Sequence, residues 1–434
     1  MKFFGTMINS GGVLEIGGIK VTELAEKYGT PLYIMDQQLI EENMMKYKEN
    51  FKSNRFKTTV VYASKAFLSK AICKLVEKHD LHIDAVSGGE LYTIKASGIS
   101  MKRVHMHGNN KTDDELKMCL DYNIGSIILD NEEEIERVSN ICKEKNQKIK
   151  VMLRINIGID AHTHEYIQTS KHSSKFGESI FDERFPEIVA KIVSDKNLEF
   201  LGFHCHIGSQ IFDTKAFHEG IEVMIKETKK ISEKLNISIP EINLGGGFGV
   251  YYTEKDTAID IEKFMKSMIG HIEKSLEKEN MTIEKISIEP GRSIIGNAGS
   301  TLYRVGGIKE TFGGVKYVFI DGGMTDNIRP ALYQAEYEAV IANKLDEIED
   351  EIVTVAGKCC ESGDLIIKNR KLGKAEKGDL LLVGTTGAYG YSMSSNYNKA
   401  QRPAVVFVKN GKSAISIKRE SLEDLVRNDI YTEL

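Results

Sequence analysis

The sequence predicts a closed (β/α)8 barrel followed by an all-β domain, and three observations carry that reading. The chain has 434 residues, more than a single hydrophobic core usually serves, so two domains are expected. Short runs rich in Val and Ile alternate with amphipathic helical stretches, which is the pattern of parallel βα units. Beyond Arg292 the texture changes to glycine-punctuated strands such as Thr301–Val305, Val315–Ile320, Glu351–Ala356, Leu380–Val383 and Ala404–Val408.

The first thirty residues are glycine-rich, with a short apolar piece at Val13–Ile16 and a small helical pattern at Val21–Tyr28. They are too fragmentary to fold alone and are expected to complete the sheet of the β domain. After Pro31 come Leu32–Asp36, a helical pattern over Gln38–Phe51, and then eight runs: Val60–Ala63, His82–Val86, Arg103–His107, Ser126–Asp130, Val151–Asn156, Phe200–His206, Glu241–Gly245 and Ile286–Pro290. Helical segments at Asp113–Tyr122, Glu132–Lys145 and Phe217–Leu235 separate several of them. Eight units over about 230 residues match a closed barrel of roughly 250 residues better than the alternative, an open doubly wound sheet. The barrel is therefore expected over residues 31–292, and the β domain over 1–30 and 293–434.

Composition excludes several classes. With 41% hydrophobic residues, 28% charged and 6 prolines, the chain is neither fibrous nor disordered. A net charge of -5 gives no bias towards polyanions, and clusters such as Lys226–Lys230 alternate with acids as solvated helix faces do, so no nucleic-acid partner is expected. The six cysteines, Cys73, Cys119, Cys142, Cys205, Cys359 and Cys360, show neither a CxxC pair nor metal-ligand spacing; no metal is expected, and a reducing compartment is. No signal-peptide core follows Met1, and no apolar run approaches membrane-spanning length, so a cytoplasmic protein without membrane contact is expected.

A barrel carries its chemistry at the carboxyl ends of its strands. The runs end in Lys65, Ser87-Gly88-Gly89-Glu90, His107-Gly108-Asn109, Asp130, Arg154 with Asn156, His204 with His206, Gly245-Gly246-Gly247, and Glu289. Each of the eight ends thus presents a polar residue or a polar or glycine cluster. Lys65 follows the β-branched run Thr59-Val60-Val61-Tyr62, where burial would disfavour an ammonium and leave an amine able to attack a carbonyl; the alternative is a lysine that merely snorkels out of a strand end. Gly245-Gly246-Gly247-Phe248-Gly249, after the seventh strand, is either a tight turn or a cradle of backbone amides for a phosphate. Glu289-Pro290-Gly291-Arg292 places a carboxylate and a guanidinium across a constrained turn, which suits either a salt bridge or a carboxylate that keeps a pyridine nitrogen protonated. His206 could stack on such a ring, although a lone histidine is more often a satisfied core residue. The polar segment from Asp160-Ala161-His162-Thr163-His164 to Ser174-Lys175-Phe176-Gly177 is expected to act as a lid rather than as a plain solvated loop.

Jointly, Tyr62-Ala63-Ser64-Lys65-Ala66, His206-Ile207-Gly208-Ser209-Gln210, Gly245-Gly246-Gly247, Glu289-Pro290-Gly291-Arg292, Asp321-Gly322-Gly323-Met324 and Cys360-Glu361-Ser362-Gly363-Asp364 resemble the diaminopimelate decarboxylases, pyridoxal-phosphate enzymes with an alanine-racemase-like barrel. The resemblance runs in order from about Pro31 to Pro403. It implies decarboxylation of meso-2,6-diaminopimelate to L-lysine, the last step of lysine biosynthesis, through a Schiff base on Lys65. It also implies that His206 stacks on the cofactor ring, and that Ser209, Gly245, Gly246, Gly247, Glu289, Gly291, Arg292 and Tyr389 hold its phosphate and nitrogen. Asp84, Ser87 and Arg154 would support them. Arg292, Arg329 and Tyr333 would grip the distal carboxylate of the amino-acid substrate and Glu361 its distal ammonium, with Cys360 as proton donor. Cys360 and Glu361 would reach in from the partner of a homodimer with composite sites. This chain has Cys359 where the family usually carries an apolar residue, which leaves open which thiol is the acid. The rival with the same fold is a decarboxylase of ornithine or arginine, whose substrates lack a distal carboxylate; an alanine racemase would place an arginine where Glu289 stands. From another class, a non-catalytic relative that binds a partner protein tends to lose the lysine or the acid, and both are present here.

Overall fold

The computed structural model describes residues 1–159 and 174–433. They form two compact units, one of residues 43–250 and 258–293, the other of residues 1–42, 251–257 and 294–433.

In the first unit the eight expected strands are present: Lys57–Tyr62 (β1), His82–Ala85 (β2), Val104–Met106 (β3), Ser126–Leu129 (β4), Ile149–Asn156 (β5), Leu198–His204 (β6), Glu241–Asn243 (β7) and Lys285–Ile288 (β8). Each pairs in parallel with the next, and β8 pairs with β1, which closes the barrel. Helices fill the crossovers, and their starts are written into the sequence. Ser69, Ser87, Thr112 and Asn131 each accept the third backbone N–H of the helix that follows, which satisfies a donor that the first turn otherwise leaves bare. Ser87, expected to support a cofactor, is thus the cap of the helix Gly88–Ser97. One face of each helix is apolar, as with Ile72, Cys73, Leu75 and Val76 of Lys70–Lys78, and that face covers the sheet.

The β unit corrects the expected boundary. Leu32–Asp36, assigned to the barrel from sequence, lies in the β unit, where it pairs antiparallel with Gly299–Leu302 and parallel with Ala404–Val408. All five of its residues are buried, and an apolar run of that length reads the same in either kind of sheet. The strand that completes the sheet is therefore this one and not the first thirty residues. Those form a small sheet of their own, Ile8–Asn9, Leu14–Ile16 and Ile19–Lys20, and Leu14, Ile16, Val21 and Leu24 pack with Leu32, Ile34, Leu302, Leu382 and Val406 in one core. Residues 251–257 also belong to the β unit although the barrel surrounds them in sequence.

At the amino ends of the barrel strands, a polar tier replaces the branched apolar layers usual in such folds. His82 and His105 meet through Nδ1 and Nε2 at 2.8 Å, and His105 Nδ1 lies 2.7 Å from Ser126 Oγ. Lys285 and Glu241 pair beside them at 2.7 Å. Burial, and then the charges of Lys285 and Arg103, push His82 down to about 4. The unfolded chain takes up that proton near pH 6.5, so stability is complete above that pH and falls between about 6.5 and about 4. The melting temperature of the wild type should therefore drop more steeply over this interval than that of His82→Gln, as thermal denaturation across pH will measure; parallel curves would show that His82 is not the titrating group.

Candidate active site

Lys65 lies three residues beyond β1, in a short 3-10 turn of Ser64–Ala66. Its side chain is exposed while Ser64 and Ala66 are buried, which corrects the expectation of a lysine buried at a strand end. The strand stops at Tyr62, and the turn aims the amine outward at the carboxyl mouth of the barrel while its neighbours fill the core. Asp84, buried at the end of β2, fixes this turn by accepting the Ser64 N–H at 2.6 Å. Burial raises the Asp84 carboxyl, opposed by His107 and reinforced by Glu289.

Glu289 is the hub of the mouth. It follows β8 and is 8% exposed. His204, at the end of β6, is linked to it through Nε2 at 2.9 Å, and Asn243, at the end of β7, donates its amide at 2.8 Å. His107 Nε2, from the end of β3, lies 3.1 Å away but outside hydrogen-bond geometry. Burial pushes the Glu289 carboxyl upward, yet the histidines outweigh it and hold it well below the usual carboxylate range. His204 is pushed down to about 4 by its own burial, so it stands as a neutral imidazole donating Nε2–H to an ionised carboxylate. The ligand atoms of His107, His204 and Glu289 all lie within 4.8 Å of one another. That is compatible with a metal ion, although no metal was expected; their strands are far apart in sequence, so no ligand spacing betrays the group. The hydrogen bonds to Glu289 account for His204 without one.

Around this carboxylate the glycines permit backbone-to-backbone contact. A Cβ on Gly245 would sit 2.3 Å from the Cys205 carbonyl oxygen, and one on Gly246 would sit 2.1 Å from that of Glu289. Gly247 has φ 116° and would meet the Gly208 carbonyl oxygen at 2.4 Å, so any side chain there is strained as well as blocked. Gly291 allows β8 to approach Ala63, whose Cβ would be 2.7 Å away. The Gly246 N–H donates to His206 Nδ1 at 3.2 Å, which puts the imidazole proton on Nε2. Burial, with Lys65 and Arg154 adding to it, holds His206 well below its ordinary value and therefore neutral. Arg292 donates to Ser209 Oγ at 3.1 Å, which joins two of the residues expected at a phosphate. Arg154 lies 4.3 Å over the Phe176 ring; burial works against its charge, and Asp130 and Glu289 favour it.

The other expected residues lie in the β unit. Arg329 opens the helix Arg329–Tyr333 and is 9% exposed. Its Nε donates to Tyr337 Oη at 2.8 Å, and the guanidinium lies 5.5–5.7 Å from the ring centres of Tyr252, Tyr333 and Tyr389. Burial lowers its basicity, but the tyrosine oxygens around it more than compensate and raise it. Tyr389 has a left-handed backbone at φ 58°, a conformation uncommon outside glycine. Cys360 and Glu361 lie exposed on one loop; the Cys360 N–H donates to Asn398 Oδ1 at 2.8 Å. Cys359 is half-buried, and burial with the Asp364 carboxylate pushes its thiol up.

Several residues here were not singled out from sequence. His107 and His204 were visible only as strand ends, Asn243 had no signal beyond its place before the glycines, and Tyr252 and Tyr337 stand in no motif. Of the expected lid, residues 160–173 lie outside the described residues.

Comparison with known proteins shows the family. A family model described as the pyridoxal-binding domain of pyridoxal-dependent decarboxylases matches residues 37–296. The chain is 47% identical to a diaminopimelate decarboxylase of Bacillus subtilis over 97% of its own length and 96% of the relative's. It is 45% identical to one of Staphylococcus aureus, over 97% and 98% respectively. A crystal structure of the diaminopimelate decarboxylase of M. jannaschii in complex with L-lysine superposes with a TM-score of 0.92 at 34% identity, covering 98% of both chains. The chain belongs to the diaminopimelate decarboxylases, within the pyridoxal-dependent decarboxylase family.

Proposed function

We propose that this chain converts meso-2,6-diaminopimelate to L-lysine and carbon dioxide, the closing step of lysine biosynthesis, with pyridoxal phosphate linked to Lys65. The observation that carries the substrate is Arg329. A buried guanidinium among tyrosines, with no carboxylate of the described residues paired to it, calls for an anionic ligand. Diaminopimelate brings one at its far end, whereas ornithine and arginine would set a cation against it.

The residues at the barrel mouth suit the cofactor. Glu289 is a buried, ionised carboxylate that can keep a pyridine nitrogen protonated. Neutral His206 offers a ring face, and the backbone of Gly245–Gly247 with Ser209, Gly291, Arg292 and Tyr389 offers donors to a phosphate. Asp84 holds the Lys65 turn and Arg154 adds positive charge. Bound pyridoxal phosphate supplies the electron sink into which the breaking carbon–carbon bond drains. Arg329, Tyr333 and Arg292 hold the distal carboxylate and Glu361 the distal ammonium, so that the bond to be broken is oriented at the mouth. Cys360 then delivers a proton to the carbon that has lost carbon dioxide; the Cys359 thiol is pushed up by burial and Asp364, which supports Cys360 in that role. Exposure of Cys360 and Glu361 supports their service in a partner's site, hence a homodimer with composite sites. Six free cysteines support a reducing, cytoplasmic setting, and no helix of the described residues is long and apolar enough to cross a membrane.

Three outcomes test this reading. Lys65→Ala should lose turnover and the visible absorbance of bound pyridoxal phosphate while its far-ultraviolet circular dichroism is unchanged; retained absorbance would put the linkage on another lysine. Arg329→Ala should lower kcat/KM for diaminopimelate by about 2–5 kcal/mol, the worth of a buried charge-assisted contact, and change the use of a substrate without the far carboxylate much less. Equal losses would remove Arg329 from substrate choice. Lys65→Ala and Cys360→Ala proteins, inactive apart, should recover roughly a quarter of wild-type activity when mixed, because half the dimers are mixed and each of those has one intact site. No recovery after subunit exchange shown by mass spectrometry would place Cys360 in its own chain's site.

A further inference from the structure

Two motifs take no part in the chemistry above, Asp321-Gly322-Gly323-Met324 and the end of Cys360-Glu361-Ser362-Gly363-Asp364, yet both meet at one side chain. Asp364 is 3% exposed. Its Oδ1 accepts the Met324 N–H at 2.6 Å and its Oδ2 accepts the Cys359 N–H at 2.8 Å. Main-chain bonds run alongside: Lys358 N–H donates to the Gly322 carbonyl at 3.0 Å, and Gly357 N–H to the Asp364 carbonyl at 3.0 Å.

The surrounding glycines are shaped to this carboxylate. A Cβ on Gly323 would lie 2.5 Å from both Asp364 oxygens, and one on Gly357 would lie 2.2 Å from Oδ2. From Met324 the chain turns through Asn327, whose N–H donates to the Gly323 carbonyl at 3.0 Å, directly into Arg329 and Tyr333. From Cys359 it runs directly into Cys360 and Glu361. An amide at position 364 could accept with one atom only and would set its NH2 against the other backbone N–H, so the ionised acid is the group that fits.

We propose that Asp364 is a positioning residue: its two oxygens lock the segment leading into Arg329 and Tyr333 to the loop bearing Cys360 and Glu361, so that the distal-carboxylate grip of one site and the proton donor lent to the partner's site are set by one rigid piece. The inference rests on the functional reading above, which gives those four residues their roles.

The test uses the full-length holoenzyme with Asp364→Asn and, as a variant that displaces the carboxylate without touching its chemistry, Gly357→Ala. Both should keep stoichiometric pyridoxal phosphate, since the barrel residues are unaltered. Both should nonetheless lose about 10²-fold in kcat/KM for diaminopimelate, the scale expected for a misplacement of about 1 Å. The loss should be divided between a higher KM, from Arg329 and Tyr333, and a lower kcat, from Cys360. Measured per cofactor-loaded site, wild-type KM and kcat in both variants would overturn the proposal, as would a loss that merely follows the folded fraction. Failure of the wild type to release lysine from diaminopimelate would instead overturn the functional reading itself.

Discussion

The charge on Glu289 is the constraint around which the barrel mouth is arranged. A carboxylate taken out of water is tolerated only where donors replace the lost hydration. Two separate strands supply them, through His204 from β6 and Asn243 from β7, and the imidazole of His107 from β3 lies close by. Because the barrel closes, donors remote in sequence converge on one oxygen pair, and Asn243 fixes something further. Asn243 Oδ1 receives the Gly245 N–H at 2.9 Å and so starts the glycine turn, and the Gly246 N–H then orients His206. The anion, the glycine turn and the His206 imidazole are thus one connected hydrogen-bonded structure.

The β unit solves the opposite problem, a buried cation, by different means. Arg329 is stabilised by tyrosine faces and one tyrosine oxygen rather than by a carboxylate. Aromatic faces favour a guanidinium without neutralising it. A carboxylate of the chain in that place would cancel the charge.

The eight barrel strands were legible because alternating apolar runs and capped amphipathic helices leave a local record. Strand ends were legible too, so Glu289 and the glycine run could be named before the fold was known, whereas Asp84 followed only from the family resemblance. Convergence across the barrel was not, since nothing near His107 or His204 in sequence points to Glu289. Lys65 misled because a lysine after a β-branched run looks buried until the turn at Ala63 is seen to aim it outward. Leu32–Asp36 misled because five buried residues in a row do not say which sheet buries them. The cage of Arg329 was hidden because Tyr252 reaches the β unit through residues 251–257, which the barrel encloses in sequence.

Leu32–Asp36 also sets an order on synthesis. Its two neighbours in the sheet are Gly299–Leu302 and Ala404–Val408, so the strand leaves the ribosome long before either partner exists. At about 5–20 residues per second it waits for tens of seconds, while residues 43–293, emerging in between, already hold every strand of the barrel. The apolar run Leu32-Tyr33-Ile34-Met35 is without its sheet partners throughout that interval, which leaves it open to wrong pairing until they emerge.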